Sequence, residues 1–123
     1  LRGGPITVYG DGLQQRNILF IDDATDAIIS LSGSDEYYGQ VFLAGSDTHL
    51  SVLEIAEKIA EIFDCPVVSL PWPTERRAIE IGDVALDNTK TKKQLSWTPK
   101  IDIKHGLMLT KEYYLAHLRY YLQ

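Results

Sequence analysis

Three charged residues interrupt stretches that otherwise read as structure, and their types suit phosphate chemistry. Arg16 stands at the mouth of the apolar, strand-forming run Asn17-Ile18-Leu19-Phe20-Ile21, just after a glycine-flanked bend. Arg77 and Glu80 follow the rigid segment Pro71-Trp72-Pro73. A guanidinium offers a planar fork of donors to phosphate oxygens, and a carboxylate accepts from sugar hydroxyls. Brought into one cleft, two arginines and an acid would suit a nucleoside diphosphate, each charged hydrogen bond contributing about 1.5–3 kcal/mol once desolvated. Spread over the surface, the same residues would make weak ion pairs of about 0–1 kcal/mol. Spacing by itself favours that plainer account.

No reacting group accompanies them. A tyrosine acid/base activated by a lysine one helical turn on requires Tyr-x-x-x-Lys, and none of Tyr9, Tyr37, Tyr38, Tyr113, Tyr114, Tyr120 and Tyr121 has it. No serine sits in a nucleophile elbow. His49, His105 and His117 are scattered, without a Cys/His spacing for a metal. The single cysteine, Cys65, excludes an internal disulfide, reads as a small buried filler and fits a reducing, cytoplasmic compartment. The sequence thus assigns no catalytic residue and no metal ligand.

The bend before Arg16, Gly10-Asp11-Gly12, resembles a dinucleotide-binding turn only in part. That fingerprint needs a third glycine three residues later and then a helix. Here Gln15 holds the third position and the following residues favour a strand. No helix N-terminus is then available to a pyrophosphate, so the stretch reads instead as a hairpin-like connection with Asp-Gly at its bend.

These residues must be carried by short strands and helices. Residues 6 to 9 and 17 to 21 read as strands, and Asp22 or Asp23 offers an N-cap to a helix through Ala24, Ala27, Ile28 and Leu31 that stops near Gly33. Gln40 to Ala44 reads as a short strand. Ser51-Val52-Leu53-Glu54 is a capping box opening a helix with Val52, Ile55, Ala56, Ile59, Ile62 and Phe63 on one face, and Glu54 and Lys58 in the favoured i,i+4 order. Pro66 to Leu70 is a further strand. Residues 74 to 87 carry charge with little periodicity. Asp87 or Asn88 caps a short helix through Lys90 and Leu95, with Lys90, Lys92 and Lys93 on its wet face and Trp97 folded back on it. The last helix runs from about Asp102 to Leu122, with Ile103, Leu107, Tyr114, Leu118 and Tyr121 facing inward.

A chain of 123 residues, 45% hydrophobic and 24% charged, is ordinary for a globular protein and makes one domain or a piece of a larger one. Its net charge of −5 argues against broad nucleic-acid binding, and no apolar run is long enough to span a bilayer. The start, Leu1-Arg2-Gly3-Gly4-Pro5, has no signal-peptide pattern, and the only methionine is Met108, so a piece cut from a longer chain is expected.

Several motifs line up in order: Gly10-Asp11-Gly12-x-Gln14-x-Arg16, Ile21-Asp22-Asp23, Ser51-x-x-Glu54-Ile55-Ala56, Gly82-Asp83, Asp87-x-x-Lys90, Leu95-Ser96-Trp97-x-Pro99 and Gly106-Leu107. Together they resemble the C-terminal part of the NAD-dependent nucleotide-sugar epimerases and dehydratases, in the extended short-chain dehydrogenase/reductase group. The resemblance implies an α/β fold in which residues 1–123 form a small substrate-binding subdomain of three to four helices and short strands. That subdomain is normally packed on an NAD-binding Rossmann domain outside this chain. It implies NAD in the parent protein but none bound here, and a nucleoside-diphosphate sugar as ligand; a homodimer is compatible with it. The parent's reaction would begin with hydride transfer from sugar C4, as in UDP-glucose 4-epimerases. The alternatives are dTDP-glucose 4,6-dehydratase, UDP-glucuronate decarboxylase or a free-standing, non-catalytic binding module. By position, Arg16 and Arg77 match diphosphate-side arginines, Glu80 an acid on the nucleotide ribose, Tyr9 a residue beside the base, and Asp23 the acid read above as a cap. The register of residues 76 to 83 also admits Arg76 and Asp83 in place of Arg77 and Glu80. Where the family has Leu-Gly-Trp this chain has Leu95-Ser96-Trp97, so a left-handed backbone is expected at Ser96.

Overall fold

The computed structural model of the chain describes residues 4–121. Two small sheets and five α-helices make it an α/β structure. Strand β1 (Ile6–Tyr9) pairs in parallel with β4 (Val67–Leu70), in the register Ile6 with Val67 through Tyr9 with Leu70. Strand β2 (Gln15–Asn17) pairs antiparallel with β3 (His49–Ser51). Helix α1 (Ile21–Ser32) follows β2, α2 (Val52–Phe63) follows β3, and α3 (Thr74–Arg77) follows β4. Helices α4 (Thr89–Leu95) and α5 (Ile103–His117) complete the order, with 3₁₀ turns at Asp35–Tyr37 and Leu118–Tyr120. Among the described residues no helix is long and apolar enough to cross a membrane.

The expected hairpin across Gly10–Gly12 does not form. β1 and β2 join different sheets, because β1, with Val8 only 2% exposed, is drawn into the core beside β4. The bend instead lies over the start of α2, with Leu53 N donating to Gly12 O at 2.9 Å and Val52 N to Gln14 O at 3.1 Å. Gly12 has φ +68, and a Cβ there would stand 2.7 Å from Val8 Cγ1 and 3.0 Å from Leu53 Cβ.

The capping box on α2 is present in full. Glu54 N donates to Ser51 Oγ at 3.1 Å, and Ser51 N donates to Glu54 Oε2 at 2.7 Å. That oxygen also accepts from the Ser51 hydroxyl at 2.9 Å, so the Glu54 carboxylate is bonded to its cap, with Lys58 acting on it through its charge.

Other local expectations change for long-range reasons. The second strand is Gln15–Asn17 rather than 17 to 21, because β3 offers it only three partners; Ile18, Leu19 and Phe20 instead line a groove with Ile55, Ile59 and Leu107. Residues 40–44 form no strand, since no neighbouring edge pairs with them; Lys90 Nζ donates to Val41 O and Thr91 Oγ1 to Leu43 O. The Lys90 ammonium also lies 4.2 Å from the centre of the Phe42 ring, so this lysine ties down a loop rather than only facing water.

Asp23 is not a cap. The N-cap of α1 is Phe20, without a side-chain bond, and Asp23 is 1% exposed. Its carboxylate accepts the amide of Lys100 at 3.0 and 3.1 Å and that of Ile101 at 2.9 Å, clamping the segment before α5 onto α1. Trp97 completes the clamp: it is buried and donates from Nε1 to Asp23 O at 3.0 Å, which ties it to α1. Ser96 adopts the left-handed conformation expected of it, with φ 49 and ψ 32. Asp87 supplies the bond that starts α4, its Oδ1 accepting from Thr89 N at 2.9 Å, while Asn88 is turned inward to Gly45 O and Asp47 Oδ1.

Helix α5 is capped by Asp102, which accepts from His105 N at 2.9 Å. It ends at His117, Tyr121 beyond it is exposed, and Leu122 lies outside the described residues. Cys65 is half-buried rather than a buried filler.

Candidate functional site

The site is assembled where the parallel β1–β4 ladder ends. Gly10 N donates to Leu70 O at 2.8 Å, extending the ladder by one bond and setting the Gly10–Asp11 bend beside Pro71 and Trp72. Gly10 has φ +71, and a Cβ on it would stand 2.2 Å from Trp72 Nε1. Only glycine allows both the turn and the close indole. Trp72 is flanked by two prolines, which fix their own φ and hold the residues before them extended. Pro73 then serves as N-cap of α3, a single turn whose last residue is Arg77.

Gly10, Asp11, Trp72, Arg77, Glu80 and Gly82 line one open hollow of about 550 Å³. Glu80 is its hinge. Glu80 Oε1 accepts from Arg16 Nη2 at 2.7 Å and from Gly82 N at 3.0 Å. Arg16 Nη1 donates in turn to Gly82 O at 2.6 Å and to its own neighbour Gln15 O at 2.8 Å. The loop bearing Glu80 is therefore sewn to β2. Two further bonds complete the seam: Gln15 N donates to Asp83 Oδ1 at 2.8 Å, and Val84 N to Gln15 O at 3.0 Å.

The four residues expected at a site divide accordingly. Arg77 and Glu80 line the hollow. Arg16 joins it through Glu80, to which it is bound with both side chains about a quarter exposed. Tyr9 is set back, its ring 5.7 Å from that of Trp72 and tilted by 39°. Of the alternative pair, Asp83 is occupied by the Gln15 amide, and Arg76 is not among the residues lining the hollow. Beside Asp11, Trp72 is the side chain of the hollow that sequence reasoning passed over. It was read only as part of a rigid turn, although an aromatic between prolines and three residues ahead of charge was the available signal. Among the described residues, no group of three His, Cys, Asp or Glu is placed to hold a metal.

The Gly10–Gly12 bend leads into strand β2 and not into a helix. It presents no helix N-terminus to a pyrophosphate. What the hollow offers is the guanidinium of Arg77, two carboxylates, Asp11 and Glu80, backbone groups and an indole. That set can bind an anion linked to a hydroxylated, planar group.

A second feature lies on α1. Ile21, Ile28 and Ile29 are 67%, 66% and 63% exposed, and Val41, near Ile28, is 76% exposed. Ile28, Leu31, Tyr38, Val41 and Phe42 line an open, mainly apolar hollow of about 600 Å³ between the helix and the unpaired 40–44 segment.

No protein-family model matches the chain. It is 33% identical over 107 residues to UDP-glucuronic acid decarboxylase 1 of Arabidopsis thaliana, covering 87% of this chain and 24% of that protein. It is 30% identical over 117 residues to UDP-glucose 4-epimerase of Mycolicibacterium smegmatis, covering 93% of this chain and 36% of that protein. Its fold matches UDP-glucose 4-epimerase of Thermotoga maritima, solved with UDP-glucose, with a TM-score of 0.79 and 29% identity over 95% of this chain and 37% of the other. The chain thus spans about a quarter to a third of the length of the curated relatives it matches.

Proposed function

Because the relatives and structural neighbours of this chain are NAD-dependent nucleotide-sugar epimerases and dehydratases of the short-chain dehydrogenase/reductase group, whose C-terminal part it matches, we propose that it is the nucleoside-diphosphate-sugar-binding part of such an enzyme. One observation carries this reading. Glu80 lines the same hollow as Arg77 while holding Arg16 at 2.7 Å, so residues from two distant stretches of chain meet at one cavity. A diphosphate would take the guanidinium of Arg77, and the Glu80 carboxylate would accept from ribose hydroxyls beside it. Arg16 would hold Glu80 in place, and a phosphate entering between them would compete for the same guanidinium.

In the whole enzyme the reaction would start with removal of hydride from sugar C4 by NAD, held in the portion of the parent that this chain does not include. The part played by residues 4–121 is positioning. Fixing the nucleotide end leaves the sugar little freedom but to reach toward the other domain, and such pre-orientation is a large share of many rate enhancements. The exposed isoleucines of α1 and the unpaired 40–44 edge would seat against that domain.

Calorimetric titration with UDP-, GDP- and dTDP-sugars tests the reading. One of them is expected to bind, Arg77→Ala to weaken it, and the free sugar without its nucleotide not to bind. Absence of binding by every nucleotide sugar, or equal binding by Arg77→Ala, would remove the site.

A further inference from the structure

We propose that Trp72 is the wall on which the base of the nucleotide lies, so that the hollow takes nucleotides in preference to bare diphosphates. The proposal rests on the nucleotide-binding reading above and adds a residue to it. The two tryptophans of the chain are placed in opposite ways. Trp97 is 4% exposed with its Nε1–H given to Asp23 O, which is how a structural indole is satisfied. Trp72 is only half-buried, lines the open hollow with Arg77 and Glu80, and has no acceptor for its Nε1–H among the described residues. No other aromatic residue lines that hollow.

Its orientation is held from several sides. The last bonds of the β1–β4 ladder fix Leu70 against Tyr9 and Gly10, Pro71 and Pro73 stiffen the chain on either side, and the indole edge presses on the bare backbone of Gly10. The Tyr9 ring, 5.7 Å away, supports it from β1. A large, partly open aromatic plane held this rigidly loses little entropy when a second plane stacks on it. Base–aromatic stacking tolerates any base, because each has a π face. The expected selectivity is therefore for the presence of a base and not for one base over another.

Wild type, Trp72→Leu and Trp72→Phe are titrated with UDP and with inorganic pyrophosphate, by calorimetry and by indole emission. Trp72→Leu is expected to weaken UDP by about ten- to a hundredfold while pyrophosphate binding changes by less than about twofold, since a lost stack removes only the base's share. Trp72→Phe keeps a π face and most of the UDP affinity. UDP changes the emission of wild type but not of Trp72→Phe, whose remaining tryptophan is buried, and pyrophosphate changes neither. Should Trp72→Leu fail to fold, the emission comparison with Trp72→Phe decides alone. UDP bound equally by Trp72→Leu, or bound by wild type without a change in emission, overturns the role of Trp72 and leaves the nucleotide reading standing. Binding of neither UDP nor pyrophosphate by wild type overturns both.

Discussion

Arg16 and Glu80, 64 positions apart in sequence, are joined at 2.7 Å, and the same Glu80 oxygen accepts the Gly82 amide at 3.0 Å. The arginine of β2 thereby fixes the shape of a loop that would otherwise be held only at Asp83 and Val84. Both side chains are about a quarter exposed, so screening is incomplete but real. A double-mutant cycle between Arg16→Gln and Glu80→Gln should give a coupling of about 0.5–1 kcal/mol in urea unfolding. Strict additivity would mean that the contact is energetically idle. In ligand titration, Arg16→Gln should also weaken nucleotide-sugar binding.

The buried carboxylate of Asp23 accepts two backbone amides and makes no direct ion pair among the described residues, the Lys100 ammonium being bonded to Asp26. Asp23→Asn preserves shape but sets an N–H group against the Lys100 or Ile101 amide in either orientation. A loss of about 1–3 kcal/mol in stability is expected from the unsatisfied donors. Urea unfolding followed by Trp97 emission measures it, and an unchanged midpoint would deny Asp23 its clamping role.

Ser96 ends α4 at φ 49 and ψ 32, where a Cβ is crowded and glycine is not. Ser96→Gly should stabilise by up to about 1 kcal/mol. A melting temperature raised by a few degrees is the expected result, and a lower one would contradict the left-handed assignment.

Three carboxylates are held below their ordinary range: Asp47 by the Lys92 ammonium and the Asn88 amide, Glu54 by the Ser51 backbone amide and hydroxyl, and Asp87 by the Thr89 hydroxyl and amide. Each binds its proton more weakly when folded than when unfolded. Their contribution is therefore complete above the ordinary carboxylate range near pH 4 and is lost as pH falls through the lower folded values. Denaturation midpoints should be flat from about pH 5 to 7 and fall below about pH 4, with Glu54→Gln reducing the slope. A midpoint that rises on acidification would reverse the assignment.

Ile21, Ile28 and Ile29 leave α1 with exposed apolar side chains, Ile28 next to Val41 and Tyr38. Apolar patches of this kind mark surfaces that seek partners. At high concentration the chain should self-associate and bind a hydrophobic dye, and Ile28→Glu should reduce both. Sedimentation showing a monomer at every concentration, without dye binding, would refute this.

What the sequence determined by itself was local. The Ser51–Glu54 capping box and the stiff Pro71-Trp72-Pro73 turn each involve residues within a few positions of one another, whereas the left-handed Ser96 was expected from the likeness to the family's Leu-Gly-Trp. Their energies are set by backbone geometry that any surrounding fold would respect. The order of family motifs carried the likeness to sugar-nucleotide enzymes, and the relatives agree with it.

Tertiary structure decided the rest. β1 read as pairing with the strand after the bend, yet it pairs with β4, because partner choice depends on which faces the core can bury together. Asp23 offered the same carboxylate to a cap or to a distant segment, and only the arrival of Lys100 and Ile101 chose between them. Residues 40–44 carry strand-forming side chains but no strand, since a ladder requires a neighbour's edge and none meets them. Arg16, Arg77 and Glu80 were individually visible as candidates. Their arrangement around one acid, with Trp72 beside them, follows from contacts across more than sixty residues, which no local pattern encodes.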